Sequence, residues 1–320
     1  MAKNAVVTTE ETKALTTYKP APTFDIIAKA QEALGEVEVY EYSEDAGAGL
    51  ENISMDERRL PIIRILDPKS PQCKPASAGG IAGAKGGTIF NSSTNEIYEG
   101  EKGIYAVFAA REMSYIEYIK RNEDGSGGGF VGIHEPGEPF VKEMVAAQGK
   151  FKKYQSNGAD GIAHETVQTN SFYGIFAEDL SFQRSFRGVV PFQSMQMKKA
   201  TTLIEITDNA KYPMKYKDGS IGPQTAPLYA HVFHLTTVYE QRGQQSWYGW
   251  KITFADPSQD YKGSRIGSKS TIYLQAKEFN EMFMKGEVKP DFVKDAASGA
   301  DTSGELAQGG GDVKDKDIPF

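Results

Sequence analysis

Four short segments of the sequence place aromatic rings next to positively charged side chains. They read YIEYIKR, KFKKY, SFQRSFR and WYGWK. An aromatic ring can stack on a nucleobase, which contributes roughly 1–3 kcal/mol per base, and Lys or Arg can neutralise a phosphate. These segments therefore have the chemistry to hold a single strand of nucleic acid. The candidate residues are Tyr118, Arg121, Phe151, Lys152, Lys153, Tyr154, Arg184, Arg187, Trp247 and Lys251.

Strand periodicity divides the WYGWK segment into two faces. Trp247, Gly249 and Lys251 would share one face, because alternate side chains of a strand point the same way. The other face is uniformly apolar and is predicted to be core. In KFKKY, three lysines within five residues resist burial, so we expect this segment to be exposed. The competing interpretation is that any one ring belongs to the core, and that the lysines belong to an ordinary solvated loop.

Signatures of enzymes and metal sites are missing from the sequence. The glycine-rich stretch Gly79–Gly87 resembles a phosphate loop, but no Ser or Thr directly follows Lys85 as a Walker A motif requires. His231 and His234 lie three apart on a predicted strand and should point to opposite faces. Cys73 is the only cysteine, which excludes a thiolate zinc site and an intrachain disulfide. We expect a protein that is not an enzyme and has no metal or cofactor.

The elements that must position the candidate residues are mostly strands. Alternating or apolar stretches bounded by turn residues predict strands or hairpins at 60–66, 88–100, 103–119, 171–180, 188–192, 228–242 and 246–254. Helical spacing of apolar residues predicts helices at 24–34, 140–147, 194–206 and 271–287. This order predicts a mainly β (α+β) protein built as an antiparallel barrel or sandwich, and it favours an elaborated OB-like fold.

The charge is distributed unevenly along the chain. Residues 1–57 hold 12 acidic and 4 basic side chains, and residues 291–320 hold 7 acidic and 3 basic, so residues 58–290 carry 29 basic against 24 acidic. We therefore predict an acidic, largely disordered arm with a short helix (1–57), a β-rich binding body (58–290) and a flexible glycine-rich acidic tail (291–320). The absence of a long apolar run and of a signal peptide predicts a protein of the cytoplasm with no membrane contact.

The chain ends in DKDIPF, after the three glycines Gly309 to Gly311. This end resembles the C-terminal tip of bacterial single-stranded DNA-binding proteins, which is acidic, ends in Asp-Ile-Pro-Phe and follows a flexible linker. The resemblance implies that the tip docks replication and repair proteins of the host or phage. The residues that would do so are Asp315, Asp317, Ile318, Pro319 and Phe320. Lys314 and Lys316 depart from the pattern by diluting its negative charge.

The body resembles a second group of proteins. LPIIRILDPKSPQ, GTIFNSSTNEIYEG and the run from YIEYIKR to GGGFVGIH look like bacteriophage proteins assigned as single-stranded DNA-binding proteins. Together the resemblances imply a phage protein that binds single-stranded DNA in replication or recombination. The alternatives are a β-rich phage structural or assembly protein, and an enzyme of DNA metabolism for which no motif is present. The sequence leaves open whether the chain forms a homo-oligomer.

Overall fold

The structure is a computed structural model that describes residues 25–33, 59–121, 127–149, 153–158 and 161–292. Within these ranges the side chains of Arg121, Gln259 and Asp260 are not described. Most of the predicted N-terminal arm, residues 122–126 of the glycine-rich loop, and the tail from residue 293 with its tip lie outside the described residues.

The described residues form a mainly β structure with a few helices, as predicted. The strands are β1 Ile63–Ile65, β2 Ile89–Asn91, β3 Ile97–Tyr98, β4 Ile104–Arg121, β5 Gly127–His134, β6 Lys153–Asn157, β7 Ala163–Ala177, β8 Ser185–Gln193, β9 Lys211–Lys215, β10 Ile221–Thr225, β11 Phe233–Arg242 and β12 Gln245–Phe254. The helices are α1 Ile26–Ala33, α2 Pro139–Gln148, α3 Met197–Asp208, α4 Asp260–Gly263 and α5 Thr271–Met284.

Two long antiparallel strands, β4 and β7, organise the main sheet. They pair from Tyr105 opposite Ala177 to Ile119 opposite His164. At one end of this pair β11 and then β12 extend the sheet beyond β4, and β8 pairs with β7. At the other end β5 pairs with β4 and β6 pairs with β7. A bulge at Ala109 interrupts the register, and its carbonyl accepts a hydrogen bond of 2.9 Å from Nδ2 of Asn280 in α5.

Apolar side chains cover both faces of this sheet. On the face that α5 covers, Val107 and Ile175 pack with Phe279. On the opposite face, Phe108 and Phe172 pack with side chains of α3 and of the small sheet formed by β1, β2 and β3. Alternation along β4 and β7 supplies both layers, because neighbouring residues of a strand point to opposite faces.

The resulting architecture is sandwich-like. The strands that the structure describes form no closed barrel, so of the two predicted architectures the sandwich is the one found. The sheet topology gives no support to the OB-like expectation, because that fold is a small, partly open Greek-key barrel.

Two local structures lie beside the main sheet. Helix α2 packs through Val141 and Met144 against Tyr115 and Tyr154, at the end of the sheet where β5 and β6 lie. Strands β9 and β10 form a separate two-stranded sheet after α3. In the described part of the chain, no helix has the length and apolar character needed to cross a membrane.

Candidate nucleic-acid interface

The outer face of the β11–β12 hairpin contains the predicted pair Trp247 and Lys251. In the register of the hairpin, Trp247 lies opposite Glu240 and Lys251 lies opposite Thr236, with Gly249 between them along β12. The two side chains therefore share one face, about 13 Å apart along the strand. The opposite face of β12 contributes Trp250 and other apolar residues to the core. The division of WYGWK into an outer and an inner face is confirmed.

Glu240 holds the indole of Trp247 in place. Nε1 of Trp247 donates a hydrogen bond of 2.8 Å to Oε2 of Glu240, and Nζ of Lys199 in α3 donates to Oε1. A Cβ atom at Gly249 would lie 2.5 Å from Oε2 of Glu240. The glycine therefore leaves room for the carboxylate to lie across the strand, where it orients the half-buried ring and is itself neutralised by Lys199.

Lys251 supplies an available positive charge on this face. It is exposed, and among the described residues it forms no ion pair. Its backbone carbonyl accepts a hydrogen bond of 3.4 Å from Oγ1 of Thr236 on β11. An exposed cation on the same strand face as a fixed ring could contact a phosphate further along a single strand whose base stacks on the ring.

A pair of stacked rings lies on the same face of the sheet, where β11 pairs with β4. Tyr105 and His234 stack with centroids 4.6 Å apart and planes 16° from parallel. Nε2 of His234 lies 2.7 Å from the carbonyl oxygen of Lys102, which requires a proton on that nitrogen. Burial, followed by the negative charge of Asp179, raises the pKa of Tyr105. This pair extends the aromatic surface of the hairpin as a neutral tyrosine beside an oriented imidazole.

The other predicted residues on this sheet face are engaged in protein contacts. Lys153 forms an ion pair of 3.0 Å with Glu165. Tyr118 is half-buried against the core on the α5 side. The guanidinium of Arg187 lies 5.2 Å from the ring centroid of Phe279 and 3.6 Å from a carboxylate oxygen of Glu278, both in α5.

The predicted residues are thus not gathered at one site. Arg184 is exposed just before β8, away from the β11–β12 hairpin in the strand order. The side chain of Arg121 at the end of β4, together with Phe151 and Lys152, lies outside the described residues. So do the predicted tip residues Asp315, Asp317, Ile318, Pro319 and Phe320. Only Trp247 and Lys251 are placed together on a solvent-facing surface.

The prediction that Tyr154 is exposed is wrong. Its side chain is fully buried, on the opposite face of β6 from Lys153. The ring packs 6.0 Å from that of Tyr115 and is covered by Val141 and Met144 of α2. Strand alternation sends the lysine outward and the tyrosine inward, so the density of lysines in KFKKY did not indicate the exposure of its last residue.

One further segment that combines basic and aromatic residues was not among the four segments predicted from the sequence. It is KYPMKYK, residues 211–217, which contains β9 and the start of the turn to β10. Lys211, Lys215, Tyr216 and Lys217 are all exposed. The signal was the same interleaving of lysines and tyrosines that marked the four predicted segments.

In the described ranges, no group of three His, Cys, Asp or Glu side chains is placed to hold a metal ion. His231 is fully buried and His234 faces outward, so these two histidines point to opposite faces as predicted. His134 and His164 both contact the carboxylate of Glu117, at 2.8 Å and 2.7 Å.

Comparison with known proteins places the chain in one family. No curated protein matches it significantly, and no solved structure does. A family model described as Pam3 phage gp34-like protein matches residues 29–289. The chain therefore belongs to the Pam3 phage gp34-like family of bacteriophage proteins.

Proposed function

We propose that this phage protein binds single-stranded DNA without strong sequence preference during phage DNA replication or recombination. It acts without catalysis, in the host cell cytoplasm. The observation that carries the proposal is the placement of Trp247 and Lys251 on the same outer face of the β11–β12 hairpin. The ring is fixed by Glu240 and the lysine has no ion-pair partner in the described residues.

This arrangement suits a single strand better than a duplex. Bases of a single strand expose their faces, so one can stack on the indole, whereas bases in a duplex are already stacked. Stacking accepts every base, which makes such a contact insensitive to sequence. Further along the same sheet face, the Tyr105–His234 pair offers additional ring surface.

The C-terminal tip gives the second part of the proposal, the recruitment of replication or repair proteins. Burial of one Phe side chain contributes only about 1.5–3 kcal/mol, while a micromolar complex needs roughly −8.2 kcal/mol. Phe320 therefore needs help from Asp315 and Asp317 in a basic pocket. Many proteins on one DNA strand would present many tips, and avidity would compensate for weak single contacts.

Fluorescence anisotropy with a labelled oligo-dT tests the binding site. Trp247→Ala should weaken binding roughly 5- to 150-fold, the equivalent of one lost stacking contact. Tyr239→Ala is the matched control, because Tyr239 is exposed on the same hairpin but on the opposite face. Lys251→Ala should reduce the slope of log affinity against log salt by about 0.7, and the exposed Lys277→Ala on α5 should not.

Three results would contradict the proposal. The first is no binding of oligo-dT by the wild-type protein at low salt. The second is binding that does not weaken as salt rises. The third is preference for duplex over single-stranded DNA. Absence of DNA binding together with recovery of the protein in purified virions would favour the structural or assembly role instead.

A further inference from the structure

The β9–β10 hairpin is a basic arm that stands apart from the main sheet. Among the residues that the structure describes, its two strands pair only with each other, from Lys211 opposite Thr225 to Lys215 opposite Ile221. Exposed and half-buried residues alternate along both strands, and neither strand contains a buried residue. Both faces of this ribbon therefore remain at least partly open to solvent.

The base of the arm is firmly attached to the body through Tyr212. Its hydroxyl donates to the carbonyl oxygen of Tyr261 at 3.1 Å and lies 2.9 Å from Nε2 of His231. The hydroxyl of Tyr261 donates in turn to the carbonyl oxygen of Lys211 at 3.1 Å. A two-stranded hairpin is only marginally stable alone in water, so these bonds fix where the arm stands.

Tyr216, at the end of the arm, offers a flat ring to solvent. A Cβ atom at Gly222 on β10 would lie 2.7 Å from the ring, so the absence of a side chain there lets the ring lie against the strand. The hydroxyl donates to the carbonyl oxygen of Pro223 at 3.3 Å. One side of the ring is thus supported by backbone, and the residue is still 42% exposed. This is a stacking surface held in a fixed orientation.

The charge around this ring is positive. Lys215 and Lys217 flank Tyr216, Lys211 lies on the same strand, and none of the three has an ion pair within the described ranges. Asp218 is the one acidic residue from 211 to 225. Its carboxylate accepts hydrogen bonds from the hydroxyl of Ser220 at 2.7 Å and from the backbone N–H of Ser220 at 2.9 Å, and these lower the pKa of Asp218.

We propose that the β9–β10 hairpin is a second contact site for single-stranded DNA, with a base stacked on Tyr216 and phosphates bound by Lys215 and Lys217. The inference rests on the proposed function for the identity of the ligand. It goes beyond that function because it assigns a second site, distinct from the outer face of the β11–β12 hairpin. An oligonucleotide long enough to reach both sites gains affinity from the arm, and a short one gains less.

Anisotropy titrations of the full-length chain with labelled oligo-dT of increasing length test the arm. Tyr216→Leu should weaken binding of long oligonucleotides roughly 5- to 150-fold. Tyr216→Phe should retain the wild-type affinity, because the ring rather than the hydroxyl stacks on the base. Lys215→Ala with Lys217→Ala should lower the salt slope by about 1.4, which is two phosphate contacts. The control is Lys142→Ala with Lys277→Ala, which removes the same charge from α2 and α5. Circular dichroism of each variant should match the wild type, because the changed side chains are exposed.

Photocrosslinking to bromodeoxyuridine-substituted oligo-dT locates the contact directly. The crosslinked peptide should contain Tyr216. Suppose that the wild-type protein binds oligo-dT and the arm variants bind it with the same affinity, or that the control variant loses as much affinity as the arm variants do. In either case the arm is not a binding site, and the proposed function stands. If wild-type protein binds no single-stranded DNA, both proposals fail. Crosslinking only at Trp247, or capture of an acidic protein by the arm with unchanged DNA affinity, would also overturn this inference.

Discussion

Glu117 and His164, on the paired strands β4 and β7, are joined by a contact of 2.7 Å between Oε1 and Nδ1. The second carboxylate oxygen of Glu117 lies 2.8 Å from Nε2 of His134 on β5. Nδ1 of His134 in turn lies 3.2 Å from Glu138 at the start of α2. One carboxylate thus links three strands and, through His134, the helix above them.

Glu117→Gln should destabilise this end of the sheet. Burial acts to raise the pKa of Glu117, but the hydrogen bonds and charges of His164 and His134 outweigh it, so the pKa is lowered. The carboxylate of Glu117 therefore contributes to the free energy of unfolding at pH values above the usual carboxyl pKa. This contribution is lost as the pH falls through the lowered pKa of the folded state. At neutral pH we expect a loss of about 1–3 kcal/mol in the free energy of unfolding, measured by urea denaturation. Glu138→Gln, at the exposed end of the cluster, should cost less, and equal losses would contradict the central role of Glu117.

His231 should make stability depend on pH in a defined interval. Burial, and secondarily the charge of Arg265, lowers its pKa from 6.5 to about 4. Between these values the unfolded chain binds a proton that the folded chain does not, so stability rises with pH across this interval, by roughly 3 kcal/mol in total. Above about 6.5 the group adds no further slope. His231→Phe should remove this part of the urea-denaturation profile, and His234→Gln on the outer face should leave it. Profiles of wild type and His231→Phe that run parallel from pH 4 to 7 would contradict the assignment.

Strand alternation accounts for most of what could be predicted from sequence. It divided WYGWK correctly, because a period of two fixes the sides of a strand whatever its partner. His231 precedes β11, but its backbone is extended, and its ring packs in the core against Phe254. Alternation along β6, which begins at Lys153, also puts Tyr154 on the opposite face from that lysine. That face is buried only because α2 packs on it, which the sequence of β6 does not indicate. The pairing of β4 with β7 joins residues that are 45 to 72 positions apart in the sequence, and no local pattern specifies such a partner.

Two prolines concealed the β9–β10 arm. Pro213 and Pro223 argue against strands, because proline cannot donate to a ladder. In the structure they lie directly opposite each other in a sheet of only two strands. Each strand of such a sheet has an edge with no partner, where a missing N–H costs no ladder bond. Proline is tolerated in these two strands because no third strand that the structure describes pairs with the hairpin. That isolation is a property of the tertiary structure, so the sequence alone could not indicate it.

Gly249→Ala should disturb the orientation of Trp247 with little effect on stability. The added methyl group would displace the carboxylate end of Glu240, a flexible group that can move away, but the bond to Nε1 of Trp247 would be lost. We expect increased acrylamide quenching of Trp247, measured in a Trp250→Phe background so that only one indole reports. Oligo-dT affinity should fall by less than in Trp247→Ala, since the ring remains. Gly137→Ala is the control, because a Cβ there meets no atom within 4 Å. Unchanged quenching in Gly249→Ala would show that Glu240 does not hold the indole.

Deletion of residues 312–320 should separate partner recruitment from DNA binding. The proposal places recruitment in the tip and stacking on the body, so the truncated chain should bind oligo-dT as tightly as the full chain or more tightly, because acidic groups that compete with phosphates are removed. Pull-down of replication and repair proteins from a host extract should be lost. Phe320→Ala is the finer variant, since it removes the apolar anchor and leaves every side-chain charge in place, so it should abolish recruitment without raising DNA affinity. Loss of oligo-dT binding on truncation would instead mean that the tail is part of the DNA site, and the division between body and tip would be wrong.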